Sequence, residues 1–230
     1  MYKNSKEINT SILLNKAKNF KARGKYQEAL ACYDEAIKTD EENAGVWTKK
    51  GSVLRISKKY QEAINCYKRA IEINPDHATA WYNKGNVFLA LEQYEDAVDC
   101  YDRTLRIEPL NADALFNKGL ALDAIGKQEE AISYFERVIK ITPQPADAWN
   151  SKGCTLFELG RYNEAIISFN RAIEIEPRHL KVLYNKAYTL NKLGRLNEAL
   201  ECLDSIIDIT PNYRRAGYLR RLILRKMERP

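Results

Sequence analysis

The side chains most often used for chemistry are few in this sequence, and they are regularly placed. The two histidines, His77 and His179, stand 102 residues apart. Of the five cysteines, Cys32, Cys66 and Cys100 follow one another at steps of 34, with Cys154 and Cys202 beyond them. A metal site needs ligands that converge on one point, and a disulfide needs Cα atoms within about 7 Å. Residues set at equal steps along a chain of packed helices are spread out instead. No glycine-rich phosphate loop stands out, and no nucleophile has an identifiable base beside it. Groups suited to recognition are more plentiful. Asn15, Asn83, Asn117 and Asn185 recur at multiples of 34, and Tyr82, Phe116 and Tyr184 each precede one member of such a set. An amide carries donors and acceptors and can bond an extended backbone of any sequence. Aromatic side chains supply apolar area at binding surfaces. The chemistry these residues imply is non-covalent binding, with no catalysis, metal or cofactor expected.

The same step runs through the residues that build structure. Gly51, Gly85, Gly119 and Gly153 lie 34 apart, as do Pro75, Pro109, Pro143, Pro177 and Pro211. Ala29, Ala63, Ala97, Ala131, Ala165 and Ala199 extend the step over six copies. Laid out from Thr10, the units are 10–43, 44–77, 78–111, 112–145, 146–179 and 180–213. Each has a first stretch with apolar or small residues at unit positions 4, 8 and 11, such as Trp149, Gly153 and Leu156. Its second stretch has them at 17, 20, 21, 24, 27 and 28, such as Tyr162, Ala165, Ile166, Phe169, Ala172 and Ile173. Spacings of three and four are those of a helix. Glycine stops the first stretch, and proline keeps the second from continuing. A two-helix unit cannot bury its apolar face alone, so neighbouring units must stack.

Trp81, Lys84-Gly85, Phe88, Ala97, Tyr101 and Pro109 carry the third unit's match to the pattern W-x2-L-G-x2-Y, A-x3-F, P. Over residues 10–213 the chain resembles the tetratricopeptide repeat (TPR) family. The resemblance implies an all-α, right-handed superhelical solenoid of six helix-turn-helix TPR units plus a C-terminal capping helix. It departs from the pattern at position 7, which is lysine in every unit: Lys16, Lys50, Lys84, Lys118, Lys152 and Lys186. These lysines are expected to lay their alkyl stems on the helix with the ammonium in water, a row of anion sites being the other reading. The domain plan is a polar segment over 1–9, the six units, and a basic capping helix over 214–230. Ala216, Leu219 and Ile223 form the helix's apolar stripe.

Unit positions 2, 5, 6, 9, 12 and 13 of the first helices remain free of stacking and share one stripe. The resemblance implies that this stripe lines a concave face. Candidate groove residues are Asn15, Lys49, Tyr82, Asn83, Asn86, Phe116, Asn117, Asp147, Ser151, Tyr184, Asn185 and Tyr188. Their amides are open to two uses, bonding a peptide or bonding water and a neighbouring helix. Asp113, Asp123, Asp147 and Glu158 make the middle of the stripe acidic, with Lys49 and Arg55 before them and Lys181 and Lys192 after. A partner segment with apolar and some basic residues is expected. The TPR subclass that holds the C-terminal carboxylate of chaperone tails uses cations where Tyr82, Asp147 and Ser151 stand here, so that role is not implied.

The net charge of +6 resides at one end: residues 211–230 hold seven Arg or Lys against Glu228 alone. The expected partner is an unidentified protein or peptide. Self-association to a homo-oligomer is one alternative; binding of nucleic acid or another anionic surface through the arginine-rich end is a less favoured one. Apolar runs are too short for a membrane span. Residues 1–9 lack the apolar core of a signal peptide, and unpaired thiols suit a reducing compartment; a cytoplasmic location is expected.

Overall fold

A computed structural model describes residues 5–228, with side chains from Asn9 onward. Among the described residues there are thirteen α-helices and no strand. They are α1 (Ser5–Ala22) and α2 (Tyr26–Thr39), α3 (Ala44–Ile56) and α4 (Tyr60–Ile73), and α5 (Ala78–Ala90) and α6 (Tyr94–Ile107). Then come α7 (Ala112–Ala124) and α8 (Gln128–Ile141), α9 (Ala146–Glu158) and α10 (Tyr162–Ile175), α11 (Leu180–Lys192) and α12 (Leu196–Ile209), and α13 (Arg214–Met227). This makes six helix-turn-helix units and a closing helix. The chain divides into two compact halves, residues 1–117 and 118–230, with the division inside α7. In the N-terminal half, α1 packs on α2, α3 on α4 and α5 on α6, and α2 and α4 also pack on the first helix that follows. In the C-terminal half the same order runs from α8 through α13.

Residues 1–4 of the polar N-terminal segment lie outside the described residues, as do Arg229 and Pro230. Residues 5–9 belong to α1, which therefore starts ahead of Thr10. The reason is local: no Gly or Pro stands there to end a helix.

Units two to five close by the same contact. A Cβ placed on Gly51, Gly85, Gly119 or Gly153 would fall 2.7, 2.8, 2.6 or 2.6 Å from the ring of Tyr67, Tyr101, Phe135 or Phe169 respectively. The first helix is thus pressed against an aromatic of the second at a distance only glycine permits. The first and sixth units carry Ala17 and Ala187 here; in the sixth the facing residue is the smaller Leu203, while in the first it is still an aromatic, Tyr33, buried in the same cluster as Ala17. The alanines at position 20, Ala29 to Ala199, are all 0% exposed. They are the other small residues that let the helices approach.

The turn after each first helix has a left-handed residue. Gly24, Gly126, Gly160 and Gly194 take φ of 72°, 80°, 75° and 74°, while Lys58 and Glu92 take 60° and 59° without glycine's freedom.

Two of the position-7 lysines join successive units by ion pairs instead of leaving their ammoniums in water. Lys50 Nζ lies 2.6 Å from Asp34, and Lys152 Nζ lies 2.7 Å from Glu136. Arg220 of α13 lies 2.6 Å from Asp204 in the same register, so α13 docks as a seventh first helix would. The lysine stems also cross the tryptophans one turn earlier, with Nζ 5.7 Å from the centre of Trp47, 5.1 Å from Trp81 and 5.4 Å from Trp149. On α13, Ala216, Leu219 and Ile223 are buried as the stripe predicts, at 0%, 5% and 1% exposure. Among the described residues no helix is long and apolar enough to cross a membrane.

Candidate functional site

The stripe of positions 2, 5, 6, 9, 12 and 13 is present in both halves, and its side chains are used unequally. In the N-terminal half, Asn15 and Lys49 are exposed, while Tyr82, Asn83, Asn86, Phe116 and Asn117 are half-buried. Asn86 Oδ1 accepts from Tyr101 Oη at 2.8 Å and from Asn117 Nδ2 at 2.9 Å. Asn117 Nδ2 also donates to Tyr82 Oη at 3.3 Å. The tilted rings of Tyr82 and Tyr101 lie 6.1 Å apart. Burial pushes the Tyr101 phenol well above its ordinary pKa, so it remains a donor.

The C-terminal half repeats the pattern with different atoms. Asn185 Nδ2 donates to Asn150 Oδ1 at 3.1 Å and contacts Cys154 Sγ at 3.3 Å. In both halves a position-6 amide thus reaches back to positions 5 and 9 of the preceding first helix. The amide nitrogens of Asn117 and Asn185 are engaged on a neighbouring helix, which was one of the two uses open to them.

Beside Asn185 the stripe opens into a pocket of about 160 Å³ lined by Cys154, Phe157, Glu158, Phe169, Asn185, Tyr188 and Thr189. A run of rings passes through two of its lining residues, Phe157 and Tyr188. Tyr162 and Phe157 lie 5.2 Å apart, Phe157 and Tyr188 5.6 Å, Tyr188 and Tyr184 6.5 Å, and Tyr184 and Tyr213 6.4 Å between centroids. Tyr188 is 37% exposed, and Lys192 Nζ lies 5.6 Å from its centre. Asp147 is exposed, with Oδ1 3.8 Å from His179 Nε2, while Ser151 is half-buried. Burial raises the Asp123 carboxyl pKa, the Glu158 carboxylate adds to the rise, and the Thr155 hydroxyl opposes it. Asp123 Oδ1 is buried without a hydrogen bond among the described residues.

Of the residues expected from sequence, Tyr184, Asn185 and Tyr188 come together here. Asp147 and Ser151 lie on the neighbouring first helix α9, away from the pocket lining. Phe157, Cys154 and Thr189 were missed. Phe157 stands at position 12, inside the stripe the helical spacing already defined, so reading that position unit by unit finds it. Position 5 is less open than the spacing suggests: Thr48 and Asn150 are 5% and 6% exposed.

The cysteines are free, and burial pushes the Cys66, Cys100 and Cys154 thiols up to about 11. Such thiols stay protonated at neutral pH and act as small apolar fillers. Among the described residues, no cluster of three or more His, Cys, Asp or Glu is arranged to hold a metal ion.

Paired helices at a fixed period, with a ladder of side chains along their first helices, define a helical-repeat protein. Models described as "TPR repeat" match residues 17–54 and 51–92, and models described as "Tetratricopeptide repeat" match 82–148, 146–179 and 168–201. The chain belongs to the tetratricopeptide repeat family. No curated protein matches it. Among solved structures it is similar to YrrB, described as a TPR protein with an unusual peptide-binding site, at 28% identity over 82% of this chain and 97% of that one, TM-score 0.70. MamA is similar at 25% identity over 75% of this chain and 94% of that one, TM-score 0.68. PilW, a type IV pilus biogenesis factor, shares the fold at 20% identity over 95% of this chain and 99% of that one, TM-score 0.79. The family is one of protein-interaction scaffolds.

Proposed function

We propose that the chain is a protein-binding scaffold that takes an extended peptide segment or a partner helix along its first-helix stripe, and that it acts by binding rather than by catalysis. The observation that carries this reading is the pocket beside Asn185, open between half-buried Phe157 and exposed Tyr188. It accepts one apolar side chain. Glu158 at its rim, with Asp123 and Asp147 on the same stripe, favours a basic residue next to that side chain. Asn185 keeps its carbonyl oxygen for a backbone N–H, since its amide nitrogen is already used. The likeness to YrrB agrees with a peptide ligand. A cytoplasmic setting is part of the same proposal, since free thiols suit a reducing compartment.

The test is selection from a random displayed-peptide library with the wild type and with Tyr188→Ala. Peptides with an apolar residue flanked by Lys or Arg should be enriched on the wild type and lose at least tenfold in affinity on the variant. Enrichment of acidic peptides, or affinity indifferent to Tyr188, refutes the assignment.

A further inference from the structure

The face of α5 opposite Tyr82 and Asn86 borders a cleft of about 520 Å³ between α5 and α6, with Lys68 of α4 at its edge. We infer that this cleft binds a phosphate-type oxyanion at the end where Trp81 lies.

At three junctions the position-7 cation is neutralised by an acid at position 25 of the preceding unit: Lys50 by Asp34, Lys152 by Glu136 and Arg220 by Asp204. At the junction of α4 with α5 the acid is replaced by Lys68, so Lys84 faces a second cation. A parallel exchange occurs within α6. Arg69 and Arg171 each pair with a glutamate three residues on, Glu72 at 3.3 Å and Glu174 at 2.7 Å. Their counterpart Arg103 finds Arg106 in that place. Two acids lost to bases, on different helices, therefore gather Lys68, Lys84, Arg103 and Arg106 around one cleft.

Like charges close together lower stability, and an anion held among these four cations relieves their repulsion. Trp81 holds two of the cations in place: Lys84 Nζ lies 5.1 Å from its ring centre and Arg103 Cζ 5.9 Å, with Lys84 Nζ also 5.5 Å from Phe88. Arginine forks and lysine ammoniums together suit a group with several charged oxygens. Asp96, Asp99 and Asp102 also line the cleft. Asp96 and Asp99 belong to the first half of α6, which in an antiparallel pair lies beside the end of α5, away from Trp81. They disfavour an anion at that end, while Asp102, next to Arg103 and nearer Trp81, is engaged in an interaction of its own, so Lys84 and Arg103 at the Trp81 ring are the cations that meet the oxyanion.

The test is calorimetric titration of the full chain with inorganic phosphate at ionic strength held constant by chloride, beside a phosphoserine peptide and its serine counterpart. The second protein is Lys68→Glu with Arg106→Glu, which restores the pairing used at the other junctions. The wild type should bind phosphate or the phosphopeptide saturably, one per chain, and the arm that binds more tightly names the source as free anion or phosphorylated partner. The double variant should bind at least tenfold more weakly and, without ligand, melt at a higher temperature. The inference is overturned by a wild type that binds neither probe, or by a double variant that binds equally well.

Discussion

Replacing Asn86 with alanine separates a structural amide from a recognition amide. In the fold, Asn86 Oδ1 is the acceptor for both Tyr101 Oη at 2.8 Å and Asn117 Nδ2 at 2.9 Å. Tyr101 is 0% exposed, so its hydroxyl has little access to water once the acceptor is gone. A buried donor left unpaired costs about 1–3 kcal/mol, and an ordinary hydrogen bond nets about 0.5–1.5 kcal/mol. The Asn117 amide is half-buried and recovers part of its loss through solvent. The expected destabilisation for Asn86→Ala is therefore about 2–3 kcal/mol. Tyr101→Phe removes the donor instead, and the double variant should show a coupling of about 1 kcal/mol. Asn83→Ala, on the same helix, should stay within about 0.5 kcal/mol of the wild type. Guanidinium unfolding followed by circular dichroism measures the four variants beside the wild type, with midpoint and slope compared separately because repeat stacks need not unfold in one step. If Asn86→Ala costs no more than Asn83→Ala, the amide ladder is not holding the first helices together.

Two further perturbations test other parts of the account. Lys58→Gly and Glu92→Gly relieve the left-handed backbone at φ 60° and 59°; a non-glycine residue there costs about 1–2 kcal/mol, glycine's added chain entropy offsets part of that, and each change should stabilise by about 0.5–1 kcal/mol in the same unfolding assay. Because burial raises the Asp123 pKa, its charged form weighs against the fold at neutral pH, and that cost vanishes where the carboxyl is protonated in both states. Asp123→Asn should accordingly be more stable than the wild type at pH 7, with the gain fading as pH falls through the raised folded-state pKa and gone below about 4, the unfolded value; thermal melts showing the same gain at both ends of that range contradict it.

The repeat and its helices were legible because their causes are local. Helix-period spacing, glycine or its substitutes at the turn and proline at the end act within one unit, and a step of 34 shows six times over. Small residues at positions 8 and 20 announced a close approach of the two helices, while the pairing of position 8 with the ring at position 24 emerged only from the packing. The amides behaved otherwise. Asn15, Asn83, Asn117 and Asn185 occupy the same unit position, yet Asn117 and Asn185 bond backward to partners 31 and 35 residues earlier. Whether such a partner exists depends on what the preceding unit carries at positions 5 and 9: Tyr82 with Asn86, and Asn150 with Cys154, supply acceptors. The pocket beside Asn185 depends likewise on three helices meeting, since Phe157 comes from α9, Phe169 from α10 and Tyr188 from α11. Periodicity names the face on which a side chain sits. Hydrogen bonding and cavity shape are properties of side chains from separate helices brought to contact distance, and only the packed chain sets those distances.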